Sequence, residues 1–206
     1  MTHLNISGSL LCKEGFKQLA KGLKKNDTLV YLNISSNVIG DGNQSFFKAI
    51  ALSKVQDLNI SNNKISDTSP IVSVLNSSKC LSKLDISKNM ITNPTGIFDA
   101  LCANKTLQTL IMAGNKLVHF MNSIIVKFLK DNSSLETLNL ANCDLPEVFV
   151  NCVGLGIGSN KGIQSLNLSN NKMCDSPVTN LADGLTSNKM LRLLNLNYNR
   201  ITVLFM

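Results

Sequence analysis

From Leu29 onward the apolar residues obey a fixed frame. In LVYLNISSNVI (Leu29 to Ile39), positions 1, 4, 6 and 11 are apolar and position 9 is Asn. The frame recurs in VQDLNISNNKI from Val55, LSKLDISKNMI from Leu81, LQTLIMAGNKL from Leu107, LETLNLANCDL from Leu135, IQSLNLSNNKM from Ile163 and LRLLNLNYNRI from Leu191, with a partial copy over Leu4 to Leu11. The second apolar position stands at Leu4, Leu32, Leu58, Leu84, Leu110, Leu138, Leu166 and Leu194, so successive steps are 28, 26, 26, 26, 28, 28 and 28 residues. A fixed period of this length marks a repeat architecture, in which each unit buries its apolar side against its neighbours.

Each unit has two halves. Positions 3 to 7 alternate outward and inward, as in Tyr31, Leu32, Asn33, Ile34 and Ser35, which predicts a short strand with one buried face. The second half has helical spacing: Phe16, Leu19 and Leu23 stand at i, i+3 and i+7, as do Val178, Leu181 and Leu185, with related sets at Ile71, Val74, Leu75 and at Ile124, Phe128, Leu129. Most helices end near an Asn (Asn26, Asn104, Asn132, Asn160, Asn188), a residue that tolerates the left-handed conformation that closes a helix. Strands that alternate with helices lie parallel and adjacent, with every helix on the opposite side. The prediction is an α/β solenoid of about eight repeats, a horseshoe arc with a parallel concave sheet and convex helices, forming one domain over residues 1–206. Neither end carries a polar cap, and the last unit has just Leu204 and Phe205 to shield Leu194, Leu196 and Ile201. The expectation is part of a longer array, with self-association through an uncapped end as the alternative.

The pattern L-x-x-L-x-L-x-x-N/C-x-L, with a period of 26 to 28 residues and a full helix per unit, resembles the ribonuclease-inhibitor-like class of leucine-rich repeats over essentially the whole chain. That class includes ribonuclease inhibitor, tropomodulin, the CARMIL regulators of actin-capping protein, Ran GTPase-activating proteins and NOD-like receptors. The resemblance implies a non-enzymatic scaffold that binds a protein partner on its concave face. The alternatives it allows are a regulator of a small GTPase or of actin and capping protein, and no family residue carries over for the GTPase reading.

Position 9 forms a column of Asn37, Asn63, Asn89, Asn115, Asn171 and Asn199, with Cys143 in the gap. Buried turns need side-chain partners for their backbone groups, so the column is structural rather than catalytic. The partner-facing residues occupy positions 3, 5, 7 and 8, and most are small and neutral. Position 5 is Asn or Asp in every unit except at Ile111, which is flanked by Ala113 and Gly114. An outward apolar residue in a polar face suggests an anchor point. Candidate contacts are Tyr31, Asp57, Lys83, Asp85, Lys88, Thr109, Ile111, Asn139 and Tyr198.

Composition changes this picture little. Charges on the concave face cancel, Asp57 and Asp85 against Lys83 and Lys88, so the net charge of +7 lies elsewhere. Much of it forms two edge rows, Lys64, Lys116, Lys172 and Arg200 after the Asn column, and Lys79, Lys105, Lys161 and Lys189 before the strand. Aligned charges attract an acidic protein, a membrane surface or nucleic acid; the competing reading is that they solubilise exposed turns. Nucleic acid is disfavoured because the concave positions lack interleaved aromatics. No apolar run approaches the roughly 20 residues of a membrane helix, and MTHLNIS lacks the features of a secretory signal, so the expected location is cytoplasmic.

Six cysteines (Cys12, Cys80, Cys102, Cys143, Cys152, Cys174) show no C-x-x-C spacing and read as reduced, buried thiols; Cys12 and Cys174 share one slot of their repeats. Nine N-x-S/T sequons include Asn5, Asn33, Asn59 and Asn167 inside the strands, where a glycan would block the face. Gly154, Gly156 and Gly158 end a helix and do not have the G-x-G-x-x-G spacing of a nucleotide loop. His3 and His119 share no motif, so no metal, cofactor, catalytic residue or small-molecule substrate is expected, and His119 beside Phe120 reads as a packed or surface residue.

Overall fold

A computed structural model describes residues 1–119 and 122–202; Phe120, Leu204 and Phe205 lie outside the described residues. Strands and helices alternate as β1 (His3–Asn5), α1 (Lys13–Leu23), β2 (Tyr31–Asn33), α2 (Gln44–Leu52), β3 (Asp57–Asn59), α3 (Ser69–Ser77), β4 (Lys83–Asp85) and α4 (Thr95–Ala103). They continue as β5 (Thr109–Ile111), α5 (Asn122–Asp131), β6 (Thr137–Asn139), α6 (Glu147–Ile157), β7 (Ser165–Asn167), α7 (Asp175–Ser187) and β8 (Leu193–Asn195). The strands form one parallel sheet in chain order, with Leu4 opposite Leu32, Leu32 opposite Leu58, and so on to Leu194. Helices pack about 8–10 Å apart and strands about 4.8 Å apart, so the sheet takes the inner, concave side.

The regular strands cover positions 3 to 5, shorter than the alternation over positions 3 to 7. The ladder itself runs on, since Ile34 N donates to Asn59 O and Ser36 N to Ser61 O, each at 2.9 Å. Extended geometry stops because position 8 is left-handed in every unit: Gly8, Ser36, Asn62, Lys88, Gly114, Asn142, Asn170 and Tyr198 all have φ between 52° and 74°. Six of those eight are not glycine, so the turn is imposed by the repeat against local preference.

Behind the sheet, Leu32, Leu58, Leu84, Leu110, Leu138 and Leu166 at position 4 are buried, with Ile34, Ile60, Ile86, Met112, Leu140 and Leu168 at position 6. The helices contribute Phe16, Phe46, Phe98, Phe128 and Phe149, whose rings meet across neighbouring units, at 5.5 Å between Phe16 and Phe46 and 5.3 Å between Phe98 and Phe128. Each such side chain contributes roughly 1.5–3 kcal/mol on burial. In the last unit Leu194, Leu196 and Ile201 are half-buried and Leu193 is exposed.

The Asn column has the structural role its sequence position implies. Asn89 donates through Nδ2 to Ile60 O and Ile86 O, while its Oδ1 accepts from Asn63 N and Ile65 N of the preceding unit. Asn37, Asn63, Asn115, Asn171 and Asn199 repeat the arrangement. Cys143 keeps the donor function, its thiol reaching Met112 O at 3.4 Å, but offers no amide oxygen; Leu117 N donates to Cys143 O instead.

The helix-ending asparagines differ from expectation. None of Asn26, Asn104, Asn132, Asn160 or Asn188 is left-handed, and Asn104 and Asn188 are extended, at φ −68° ψ 134° and φ −74° ψ 134°. They end the helix by hydrogen bonding. Asn132 Oδ1 accepts from Ser134 N and Leu135 N, and its Nδ2 donates to Leu101 O at 2.6 Å and Asn104 O at 3.1 Å of the preceding unit. This is a second amide column on the far side of the core, with Ser53 and Ser78 in two of the 26-residue units. An extended backbone is what aims the side chain back at the helix end before it, so a left-handed residue would not serve.

Gly154 and Gly156 lie in the last turn of α6 and Gly158 caps it, but they also have a packing role. A Cβ on Gly154 would strike Asn180 O, and one on Gly184 would strike Gly154 O, closer than real Cβ contacts come. The glycines thus let α6 and α7 approach backbone to backbone. Gly184→Ala is expected to lower stability by about 1–3 kcal/mol, whereas Gly22→Ala, whose Cβ meets nothing within 4 Å, should leave it unchanged or raise it by about 0.5–1 kcal/mol. Urea midpoints of the two variants check this. Asn89→Ala strips partners from four buried backbone groups, and the same measurement should show a loss of at least about 3 kcal/mol.

Candidate functional site

The concave face is written in two rows. At position 3 the row runs His3, Tyr31, Asp57, Lys83, Thr109, Thr137, Ser165 and Leu193, and at position 5 it runs Asn5, Asn33, Asn59, Asp85, Ile111, Asn139, Asn167 and Asn195, each residue paired with the next across the ladder. Asp57, Lys83 and Thr109 are therefore direct neighbours, as are Asp85, Ile111 and Asn139. Lys83 Nζ lies 3.0 Å from Asp57 Oδ2, so these two charges cancel in place. Tyr31 stands beside Asp57 and holds the His3 ring at a centroid distance of 5.7 Å. Lys88 sits at the turn next to Gly114, where an added Cβ would come within 3.3 Å of Lys88 Cγ. Tyr198 is not part of this group: it belongs to the last unit and is 86% exposed.

Sequence reasoning missed the work done by position 5. Its side-chain oxygen accepts the N–H two residues on, Asn5 from Ser7, Asn33 from Ser35, Asn59 from Ser61, Asp85 from Ser87, Asn139 from Ala141, Asn167 from Ser169 and Asn195 from Asn197, at 2.9–3.1 Å. This Asx turn locks the strand into the left-handed residue at position 8. The Asn-x-Ser spacing that also produces the sequons was the readable sign of it. Ile111 cannot accept such a bond; its side chain is half-buried between Asp85 and Asn139 of the adjoining strands, and Ala113 and Gly114 follow it in its own unit.

The edge rows are exposed, and one member is neutralised: Lys172 Nζ is 2.6 Å from Asp144 Oδ1. Lys64 and Lys172 have left-handed backbones, which directs them out of the turn. All six cysteines are free, but they are not uniformly buried. Cys143 and Cys152 are buried, and burial pushes the Cys143 thiol up to about 11. Cys12 is exposed, and the Gly15 and Glu14 amides at the start of α1 hold its thiol below the ordinary value. Cys174, in the same slot of α7, is raised instead because its thiol donates to Glu147 Oε1 at 2.7 Å. His3 and His119 are both exposed, and the described residues contain no group of three His, Cys, Asp or Glu placed to hold a metal. No helix among them is long and apolar enough to cross a membrane.

An open solenoid of parallel strands and outer helices, joined by amide columns, defines the class of fold. A Leucine Rich repeat family model matches residues 25–42 and 51–69, and the repeating unit is a leucine-rich repeat. Among solved structures, the chain resembles an internalin of Listeria monocytogenes str. 4b F2365, with TM-score 0.54, 20% identity, and coverage of 98% of this chain and 56% of that one. It also resembles TLR13, solved as a complex with ssRNA13, at TM-score 0.56, 22% identity, and coverage of 93% of this chain and 28% of that one. The leiomodin-1 actin-binding site 2 matches at TM-score 0.41 and 20% identity over 68% of this chain and 70% of that one. No curated protein matches the chain. At these identities the likeness speaks to the fold.

Ile111→Asn restores an acceptor for the position-7 amide, and the expected outcome is a stability gain of about 0.5–1.5 kcal/mol, read as a higher urea midpoint.

Proposed function

We propose that this chain is a non-enzymatic scaffold of the cytoplasm that binds a partner protein on its concave face, centred on Ile111. The observation that supports it is the departure at position 5. Seven units use that position to fix the turn, and the eighth surrenders the bond for an apolar side chain on the same surface. A fold gains nothing from that exchange, and sites that give up stability are where binding is found. Around Ile111 the rows supply what an interface centre needs: an apolar anchor, small neighbours at Ala113 and Gly114 that let a partner approach, and a polar rim of Asp85, Lys88, Thr109 and Asn139. Lys83 and Asp57 face each other and add little net charge.

TLR13 was solved with RNA. On this chain a nucleic acid would meet Asp57 and Asp85 in the centre of the face, and the two tyrosines that could stack on bases stand in the second and last units. A protein partner suits the surface better.

The test is a titration of the partner, once captured from source-cell extract and purified, against wild-type protein and Ile111→Asp. The variant should bind at least tenfold more weakly, about 1.4 kcal/mol, with a melting transition no lower than that of the wild type, since an Asp at position 5 can accept the position-7 amide as Asp85 does. Equal affinity would remove Ile111 from the site. Acceleration of GTP hydrolysis by a candidate small GTPase would overturn the non-enzymatic reading itself.

A further inference from the structure

The convex side of the first two units has a feature unlike the rest of the arc. Residues 1–54 hold seven lysines against Glu14, Asp27 and Asp41, a net +4 of the chain's +7. Five of the lysines belong to α1 or follow it directly, and Lys13, Lys17, Lys21 and Lys25, four residues apart, form one exposed ridge. Lys17 pairs with Glu14 at 3.2 Å and Lys21 also acts on the Glu14 carboxylate through space; among the described residues Lys13, Lys21 and Lys25 make no salt bridge. Like charges four residues apart oppose helix formation, so the ridge runs against the local stability of α1.

Beside it, α2 and α3 pack against each other but leave an open cleft at their surface. Its volume is about 470 Å³, within the range of ligand pockets. Phe47, Ala51 and Pro70 supply apolar lining, and Gln44 and Lys48 of α2 and the serines of α3 supply polar groups. Leu52, which also lines it, is 73% exposed. The short serines of α3 (Ser69, Ser73, Ser77) line it opposite Phe47 and Leu52 of α2 and leave the space between them unfilled.

We propose that the α2–α3 cleft and the α1 ridge form a second docking surface, for an acidic protein segment bearing one bulky apolar side chain. The side chain enters the cleft beside Leu52, and flanking carboxylates meet Lys48 and the α1 lysines. Adjacent helices are about 10 Å apart, a span of three or four extended residues. A flat bilayer would touch the ridge but not enter the cleft, and nucleic acid has no apolar side chain to fill it. This surface is independent of the concave site.

The probe is a fluorescein-labelled twelve-residue peptide of Asp and Glu with a single central Leu, followed by anisotropy. Saturable binding is expected, weakening as salt is raised from about 0.05 to 0.3 M. It should fall at least tenfold with Ser73→Leu, which fills the cleft, with the combined Lys13→Gln, Lys21→Gln and Lys25→Gln variant, and when the peptide Leu is replaced by Ser. Both variants change exposed residues, and their circular dichroism melts should be no lower than wild type. Ile111→Asp should leave peptide binding unchanged, which separates this site from the concave one. The proposal is overturned if the peptide does not saturate, if it binds both variants as well as wild type, or if phosphatidylserine vesicles or single-stranded RNA bind where the peptide does not.

Discussion

A chain that turns from strand to helix and back within each repeat must bury its turns, and buried backbone amides without partners are costly. Two columns of carboxamides meet that demand. At position 9 the Asn side chain satisfies its own unit and the one before it, as Asn89 does between the units of Ile86 and Ile60. On the far side of the core Asn132 and Asn160 do the same between one helix end and the next. A carboxamide is suited to this because it carries a donor and an acceptor on one short planar group. Each unit is thereby finished by its neighbour.

That dependence explains the tolerances of the repeat. Cys143 retains a donor and relies on a backbone substitution, Leu117 N to Cys143 O, for the acceptor it lacks. Periods of 26 and 28 residues coexist because the columns fix the strand side, while the added residues fall on the helix side, where α1, α5, α6 and α7 of the 28-residue units are longer than α2, α3 and α4. The same fixed register sets the concave face. With position 5 tied to the backbone and position 8 held left-handed, the rows available to a partner are placed to the residue, and Ile111 stands out as the untied member.

Helix packing varies more than the sheet does. Glycines at α6 and α7 bring two backbones together, while short serines opposite Phe47 and Leu52 leave an open cleft at the surface of α2 and α3. The solenoid accepts both because each helix is anchored by its own phenylalanine or aliphatic cluster to the sheet, not by its neighbour helix alone. The convex side is therefore where one unit can acquire a surface without disturbing the others.

Period, alternation and the Asn column were enough to determine the parallel sheet, its chain order, the helices behind it and the buried leucines, because each is a repeated local constraint that only one stacking satisfies. The helix-ending asparagines were legible as markers but not as hydrogen-bond donors to the preceding unit, since their partners are 28 to 31 residues away. The oddity of Ile111 was visible in the sequence; that its neighbours hold a backbone amide, which makes the oddity costly, needed the strand's actual turn. The glycines of α6 read as a helix end and proved to be a contact surface as well, and the α2–α3 cleft had no sequence sign at all. Both depend on how adjacent helices meet, which follows from side-chain volumes across units and is set only when the whole core has packed.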